Sequence, residues 1–185
     1  MNRRHVLIAA GSLFAGKAFA QTPRLPAEID PQNALLIELK GGTVIVKLRP
    51  DLAPKHVERI KELAKRRFYD GLVFHRVIDK FMAQTGDPTG TGTGGSDLPN
   101  LKAEFTQAPF GRGTLGMARS QSPDSANSQF FICFERSQWL DGQYTVFGEV
   151  VSGMEFVDAI KRGTGGNGLV TAPPDRMIKV RLAAE

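Results

Sequence analysis

The sequence predicts a mainly β protein in which eight strands form a closed antiparallel barrel accompanied by two α-helices. Eight segments carry the apolar pattern of strands, and only two carry the pattern of helices. Strands and helices do not alternate regularly along the chain, which argues against a parallel sheet. Gly41-Gly42 lies between two apolar segments and is typical of a two-residue hairpin turn. The first two strands are therefore expected to pair in antiparallel fashion.

The elements follow from local residue chemistry. The first helix is expected to begin at Pro54, where the missing N–H group of proline costs nothing. Val57, Ile60 and Leu63 give this helix an apolar face. A second, short helix is expected over residues 152–161. Strands are expected over residues 34–40, 43–48, 72–78, 81–85, 113–118, 129–134, 144–150 and 177–182, with surface loops over 87–100 and 163–174.

The N-terminal segment has the features of an export signal. Residues 1–20 combine the Arg3-Arg4 pair, an apolar centre and a small-residue cleavage site at Ala18-Phe19-Ala20. The arginine pair resembles a twin-arginine signal, and ordinary Sec export remains an alternative. Residues 21–32 are expected to form a flexible, proline-containing tether before a domain over 33–185. The mature protein is therefore expected in the periplasm or secreted.

The net charge argues against binding to nucleic acid. The whole chain has a formal charge of +5, but Arg3, Arg4 and Lys17 lie in the predicted signal. Removing these three positive charges, with no acidic residue lost, takes +5 to +2. A charge of +2 is too small to favour a nucleic-acid partner. No apolar run approaches the ~18 residues of a membrane-spanning helix, so no membrane span is expected.

Two glycine-rich motifs and the metal-binding residue types give no cofactor or metal site. Residues 90–95 and 163–168 both match G-x-G-x-x-G, but no helical pattern follows either one, as a dinucleotide site requires. The single cysteine, Cys133, lies in an apolar segment and is expected to be buried and inert. Outside the signal, only His56 and His75 are histidines, so no metal site is predicted. His75 is expected to be a structural histidine with its hydrogen bonds satisfied.

The segment FHRVIDKFMAQTGD, residues 74–87, combines an alternating strand pattern with one arginine. In a strand, Phe74, Arg76 and Ile78 share one face, and His75 lies on the other. Burying a guanidinium without a partner costs several kcal/mol. An edge-strand arginine that reaches water is one interpretation. A functional arginine is the other, and the segments that follow favour it.

Four segments occur in a characteristic order: FHRVIDKFMAQTGD, then GTGG at 92–95, SQFFICF at 128–134 and WLDGQYTVFGEVVSGM at 139–154. Together they resemble a cyclophilin-type peptidyl-prolyl cis-trans isomerase of the bacterial, exported kind. The resemblance extends from about Leu35 to Leu182. It implies an eight-stranded barrel capped at each end by a helix. It also implies proline-containing segments of unfolded or folding proteins as partners, no cofactor, and a monomer.

The resemblance also assigns site residues. Arg76 matches the catalytic arginine, and Gln84 accompanies it in the catalytic set. Trp139 matches a rim tryptophan associated with cyclosporin, a further expected ligand. Thr85, Arg119 and Tyr144 depart from the commonest family pattern, and Arg119 is expected to favour acidic residues near the proline. The implied substrate-binding residues are Phe81, Met82, Gly92, Ala118, Arg119, Ser120, Gln129, Phe131, Trp139, Leu140 and Tyr144.

Prolyl isomerisation has modest chemical requirements that these residues meet. Rotation about a peptide bond must break amide resonance, a barrier of about 18–20 kcal/mol. No bond to another group forms, so an apolar pocket and a fixed N–H donor suffice, and arginine remains protonated. Two alternatives remain open on the sequence: a proline-peptide binding module or holdase with incidental catalysis, and a barrel carrying a small apolar ligand. The large inward residues expected in an eight-stranded barrel argue against the second.

Overall fold

The computed structural model describes residues 24–185. The predicted signal and residues 21–23 of the predicted tether lie outside the described residues. In the rest of that tether, Ile29 is buried and Asp30 caps a short 3-10 turn, Pro31–Asn33. A second such turn spans Gln138–Leu140. The strands are β1 Ala34–Leu39, β2 Gly42–Leu48, β3 Arg76–Ile78, β4 Met82–Thr85, β5 Thr114–Met117, β6 Phe130–Cys133, β7 Val146–Ser152 and β8 Lys179–Leu182, and the helices are α1 Pro54–Lys65 and α2 Met154–Asp158.

The eight strands form one curled sheet in which every neighbouring pair is antiparallel. Their order is β3-β4-β6-β5-β7-β2-β1-β8. Within residues 24–185, β3 and β8 are the two edges, and no strand ladder joins them. The segments that precede them, 71–74 and 175–177, do exchange backbone hydrogen bonds, such as Phe74 N–H to Asp175 O at 2.9 Å. A mainly β antiparallel sheet is thus confirmed, whereas the closed barrel is not.

Helix α1 begins at Pro54, as the sequence predicts, but its first turn is capped from a distance. The N-cap residue Ala53 has no side-chain hydrogen-bonding group. Instead, the Glu104 carboxylate accepts hydrogen bonds from the N–H groups of Lys55 at 3.3 Å and His56 at 3.1 Å. A carboxylate is well suited to this position, because unpaired N–H groups and the positive end of the helix dipole meet there. This contact fixes the loop around Glu104 to the helix.

Alternation along the central strands separates two apolar clusters. In β6, Phe130 and Ile132 belong to the main core, which also contains the apolar face of α1. Phe131 and Cys133 point to the opposite face of the sheet and join a second cluster. This second cluster contains Met82, Phe110, Phe131, Cys133, Leu140 and Val146. The sheet is therefore covered on both faces here, and the second cluster forms the floor of a groove.

Several element boundaries differ from those predicted. The strand expected over 72–78 is reduced to β3, because residues 71–74 direct their backbone hydrogen bonds to 175–177. The second helix, expected over 152–161, covers only Met154–Asp158. The predicted hairpin is confirmed, but its two-residue turn is Lys40-Gly41 rather than Gly41-Gly42, because Leu39 pairs with Gly42 and β2 begins there. In the part of the chain that the structure describes, no helix is long and apolar enough to cross a membrane.

Candidate active site

A cavity of about 720 Å³ opens over the second apolar cluster. Strands β3, β4 and β6 provide its floor. The segments that follow β4, β5, β6 and α2 provide its walls. It brings together eleven of the thirteen residues predicted from the sequence. These are Arg76, Phe81, Met82, Gln84, Gly92, Ala118, Arg119, Phe131, Trp139, Leu140 and Tyr144.

Arg76 lies at the start of β3 and is held from two sides. Its Nη1 donates to Oε1 of Gln84 at 3.1 Å, across the β3–β4 pair in which the two residues are direct partners. Its Nε donates to the main-chain oxygen of Asn167 at 2.9 Å. Both acceptors are neutral, and these bonds use two of the five guanidinium N–H groups, so N–H groups remain for a ligand in the cavity. The arginine is half-buried and has no carboxylate partner within residues 24–185.

A chain of amide groups continues from Gln84. Its Nε2 donates to Oε1 of Gln129 at 2.9 Å. Gln129 in turn donates through Nε2 to the main-chain oxygens of Gly92 at 3.1 Å and Gly94 at 2.8 Å. Each side chain can make these bonds in only one amide orientation, so the chain fixes the direction of every dipole in it.

The floor of the cavity is apolar and tightly packed. Met82, Phe131 and Leu140 are each at most 5% exposed. Phe110 stacks on Phe131 with ring centroids 5.8 Å apart. Such a floor can take a small apolar ring.

The rim of the cavity carries an exposed aromatic residue. Trp139 is 64% exposed, and its ring lies 5.4 Å from that of Phe81. It is the most exposed of the large apolar side chains in residues 24–185. Its indole face is therefore available to a ligand in the cavity.

Two of the three departures from the family pattern, Arg119 and Tyr144, contact each other. The Arg119 guanidinium carbon lies 4.5 Å from the centroid of the Tyr144 ring. Tyr144 packs edge-on against Phe131 with centroids 5.8 Å apart. Arg119 also donates hydrogen bonds to the main-chain oxygens of Ser120, Gln121 and Gln143.

A second cavity of about 550 Å³ adjoins the first. It contains the two remaining predicted residues, Ser120 and Gln129. Its walls are polar, with Ser120 Oγ and Ser125 Oγ 2.8 Å apart. Four residues border both cavities: Gln84, Gly92, Ala118 and Arg119. An extended ligand could therefore occupy both at once.

Comparison with known proteins assigns the family. The family described as cyclophilin type peptidyl-prolyl cis-trans isomerase/CLD matches residues 34–182. A probable peptidyl-prolyl cis-trans isomerase of Brucella suis biovar 1 is 52% identical over 167 residues, covering 84% of this chain and 85% of that protein. Human peptidyl-prolyl cis-trans isomerase-like 1 is 40% identical over 139 residues, covering 73% of this chain and 82% of that protein. The chain belongs to the cyclophilin family. It is a cyclophilin-type peptidyl-prolyl cis-trans isomerase.

Solved cyclophilin structures agree with the fold. A cyclophilin from Hirschia baltica superposes with a TM-score of 0.74 at 25% identity, covering 85% of this chain and 76% of that one. A cyclophilin type isomerase of Cryptosporidium parvum, crystallised in the presence of the dipeptide Ala-Pro, gives a TM-score of 0.73 at 26% identity. That comparison covers 80% of this chain and 98% of the other.

His75 of this cyclophilin differs from its expected environment. The strand pattern placed it on the face opposite Arg76, yet it precedes β3 and borders the same cavity. It is buried, and neither ring nitrogen has a hydrogen-bond partner among the described residues. The prediction that the hydrogen bonds of His75 are satisfied is therefore wrong. Burial lowers the His75 pKa, and nearby Asp87 opposes that shift only in part.

Asp87 organises the loop on which the cyclophilin carries Gly92. Its buried carboxylate accepts hydrogen bonds from the N–H groups of Thr89 at 2.7 Å, Thr91 at 3.1 Å and Gly92 at 2.6 Å. Burial alone would raise the Asp87 pKa, but hydrogen bonds from the N–H and hydroxyl groups of Thr89 and from the N–H groups of Gly94 and Gly92 outweigh it and lower the value to about 2. Asp87 thereby positions the Gly92 carbonyl that Gln129 contacts.

Sequence reasoning missed several residues around the cavity of this isomerase. Asn167 contributes only a main-chain oxygen to Arg76, so its side chain gave no signal. Leu169 and Gln143 come from loops whose position depends on the tertiary fold. The short spacing of Asp87 to the following threonines and glycines could have indicated a loop built around a carboxylate.

Proposed function

We propose that this cyclophilin accelerates X-Pro rotation by holding the proline ring on an apolar floor and directing Arg76 at the prolyl nitrogen. Met82, Phe131 and Leu140 would form that floor, and Arg76 stands at its edge. The observation that carries the proposal is the fixed position of Arg76 between Asn167 O and Gln84 Oε1. A donor held in advance needs no reorganisation during the reaction.

The chemistry follows from amide resonance. In the planar ground state, the prolyl nitrogen shares its lone pair with the carbonyl group and is a poor acceptor. As the bond twists, the lone pair returns to nitrogen, which can then accept a hydrogen bond from the guanidinium. Because this bond forms only in the twisted state, it lowers the barrier rather than simply tightening binding. No proton is transferred in this scheme.

The substrate would be an extended segment of an unfolded or folding protein. The two adjoining cavities share a border at Gly92 and Ala118, so residues preceding proline could lie over the second cavity. The export signal predicted over residues 1–20 suggests clients that fold in the periplasm or outside the cell. This localisation rests on the sequence pattern alone.

The test is a proline-peptide isomerisation assay on the mature protein, with Arg76→Ala as the diagnostic variant. Arg49→Ala is the matched control, because Arg49 pairs with Asp51 at the surface and borders neither cavity. We expect the control to retain wild-type turnover and Arg76→Ala to lose most of it. Suppression of client aggregation by both variants, with equal turnover in both, would instead favour the holdase alternative.

A further inference from the structure

Arg119 lies on the ridge between the two cavities, where an acidic substrate residue would be expected to meet it. Its guanidinium, however, already has partners. Nε and Nη2 both donate to Gln143 O, at 3.3 Å and 3.1 Å, and Nη1 donates to Ser120 O at 3.0 Å and Gln121 O at 3.4 Å. Four hydrogen bonds thus go to three main-chain oxygens. Little donor capacity is left for a ligand.

These contacts join two segments that are distant in sequence. Ser120 and Gln121 belong to the loop after β5, whereas Gln143 precedes β7. Both segments border the first cavity, through Ala118 and Arg119 on one side and through Gln143 and Tyr144 on the other. Arg119 therefore links the loop after β5 to the segment before β7 in the wall of the first cavity.

The same guanidinium lies between two aromatic rings. Its carbon is 4.5 Å from the Tyr144 centroid and 6.0 Å from the Phe105 centroid. Tyr144 is half-buried, and its ring packs against the second apolar cluster. Its other close aromatic contact is the Phe131 ring on the apolar floor, which lies at 84° to it. The order of contacts is thus Arg119, Tyr144, Phe131.

We propose that Arg119 is a positioning residue that holds the Tyr144 ring against Phe131 as a wall of the proline site, rather than a reader of acidic substrate residues. This inference rests on the proposed function, because it takes the floor at Phe131 to hold proline. Tyr144 would contact the proline ring equally in the planar and twisted states. Arg119 should therefore affect KM and leave kcat nearly unchanged.

The chain offers a direct probe, because it contains two tyrosines. Tyr69 is fully buried and donates its hydroxyl to Ser128 O at 3.0 Å, so it serves as an internal reference. Protein labelled with 3-fluorotyrosine should give two ¹⁹F signals. In Arg119→Ala without any peptide, we expect the Tyr144 signal to move and change width while the Tyr69 signal stays. A Tyr144 signal that does not change would overturn the proposal, whatever the enzymatic activity.

Kinetic measurements provide a second test of the role of Arg119. A cation–π contact at a partly exposed site is worth about 0.5–1 kcal/mol, so Arg119→Ala should raise KM about two- to fivefold with kcat retained. The Arg119→Ala/Tyr144→Ala double variant should be no worse than Tyr144→Ala alone, since Arg119 acts through that ring. Fully additive effects, or a loss confined to peptides with Glu beside proline, would overturn the positioning role.

Together, the ¹⁹F and kinetic measurements distinguish failure of the Arg119 proposal from failure of the proposed function. A wild-type protein without isomerase activity would overturn the proposed function, while the ¹⁹F signals would still decide whether Arg119 restrains Tyr144. An active wild type with a Tyr144 signal insensitive to Arg119→Ala would overturn only the present inference. Arg49→Ala, another arginine held by a surface contact, should change neither tyrosine signal.

Discussion

Arg76 and Gln84 are opposite each other in the β3–β4 pair, and a 3.1 Å hydrogen bond joins their side chains. Gln84 is oriented by Gln129, which is itself fixed by the carbonyls of Gly92 and Gly94. The glycine loop thus determines the direction of the Gln84 amide. The arginine proposed to act on the prolyl nitrogen is consequently positioned by a network that reaches into the second cavity.

Replacing Arg76 should abolish most catalysis without unfolding the protein. Deleting one preorganised donor typically costs about 10²–10³ in turnover, so we expect a loss of that size for Arg76→Ala. Arg76→Lys should recover little, because a flexible ammonium group cannot contact Gln84 and Asn167 while also facing the substrate. Proline-peptide isomerisation and circular dichroism measure the two quantities. Near-native kinetics in either variant would exclude Arg76 as the donor.

Gln84→Leu should reduce turnover, because Arg76 loses a hydrogen bond that orients its guanidinium. The variant removes one of the two acceptors of Arg76 and the donor to Gln129. A hydrogen bond to a charged group is worth about 1.5–3 kcal/mol, so we expect about a ten- to hundredfold loss. Because Gln84 is proposed to act through Arg76, adding Gln84→Leu to Arg76→Ala should cost little more. Full additivity of the two losses in a double-mutant cycle would show that Gln84 contacts the substrate independently.

The sequence correctly predicted the helices and strands that are determined by residues close together in the chain. Pro54 marks the start of α1, the glycine pair at 41–42 indicates the first hairpin to within one residue, and the alternation in β6 separates Phe130 from Phe131. Contacts between distant segments could not be predicted in this way. The cap of α1 comes from Glu104, and an acceptor of Arg76 is a main-chain oxygen of the loop after α2.

The side of the sheet on which His75 lies was also predicted wrongly, because it depends on contacts with distant segments rather than on the alternation of side chains along a strand. That alternation holds only within a regular strand, and His75 lies one residue before β3. There the backbone already pairs with other segments, since the His75 carbonyl accepts from Val170 N–H at 3.0 Å. Most residues of the candidate site were nevertheless identified from the family resemblance, because they lie in the four segments that carry it.

Asp87 should contribute stability that disappears in acid. Its folded pKa of about 2 lies below the ordinary value of 3.8, so the folded state binds fewer protons. The stabilisation is complete above pH 4 and decreases as the pH falls toward 2, by about 2 kcal/mol in total. Urea unfolding of wild type and Asp87→Asn between pH 6 and 3 measures it, and we expect the difference between them to shrink in acid. The exposed Asp97, changed to Asn, is the control; an equal acid dependence in all three proteins would contradict the role of Asp87.

The two buried histidines should make the fold less stable below neutrality while leaving turnover flat. Burial lowers the pKa of both His56 and His75, with Glu104 and Asp87 opposing it respectively. The unfolded chain then binds more protons as the pH falls below about 6.5, so stability decreases there until the folded pKa is passed.

Thermal melting between pH 7.5 and 5 tests this, and His75→Leu should show a smaller decrease than wild type. Turnover should stay nearly constant from about pH 6.5 to 9, because the proposed scheme transfers no proton. A bell-shaped turnover profile in protein that remains folded would point to a titrating catalytic group and contradict the scheme.

Trp139 should matter more for a large rim-binding ligand than for a proline peptide. Its side chain is 64% exposed and has Phe81 as its aromatic neighbour. The proline ring would instead lie deeper, on Met82, Phe131 and Leu140. The resemblance of Trp139 to the rim tryptophan associated with cyclosporin predicts that this cyclic peptide binds and inhibits.

Trp139→Ala should therefore weaken cyclosporin binding by about 2 kcal/mol or more, the scale of an aromatic hot spot, and reduce peptide turnover much less. Calorimetric titration measures the first quantity and the isomerisation assay the second. Ile178→Ala is the matched control, because Ile178 is also a large exposed apolar residue but borders neither cavity. If active wild-type protein failed to bind cyclosporin at tens of micromolar, the exposed indole would not be sufficient. The wall formed by Arg119 and Tyr144 would then be the element that excludes the drug, and Arg119→Ala should restore its binding.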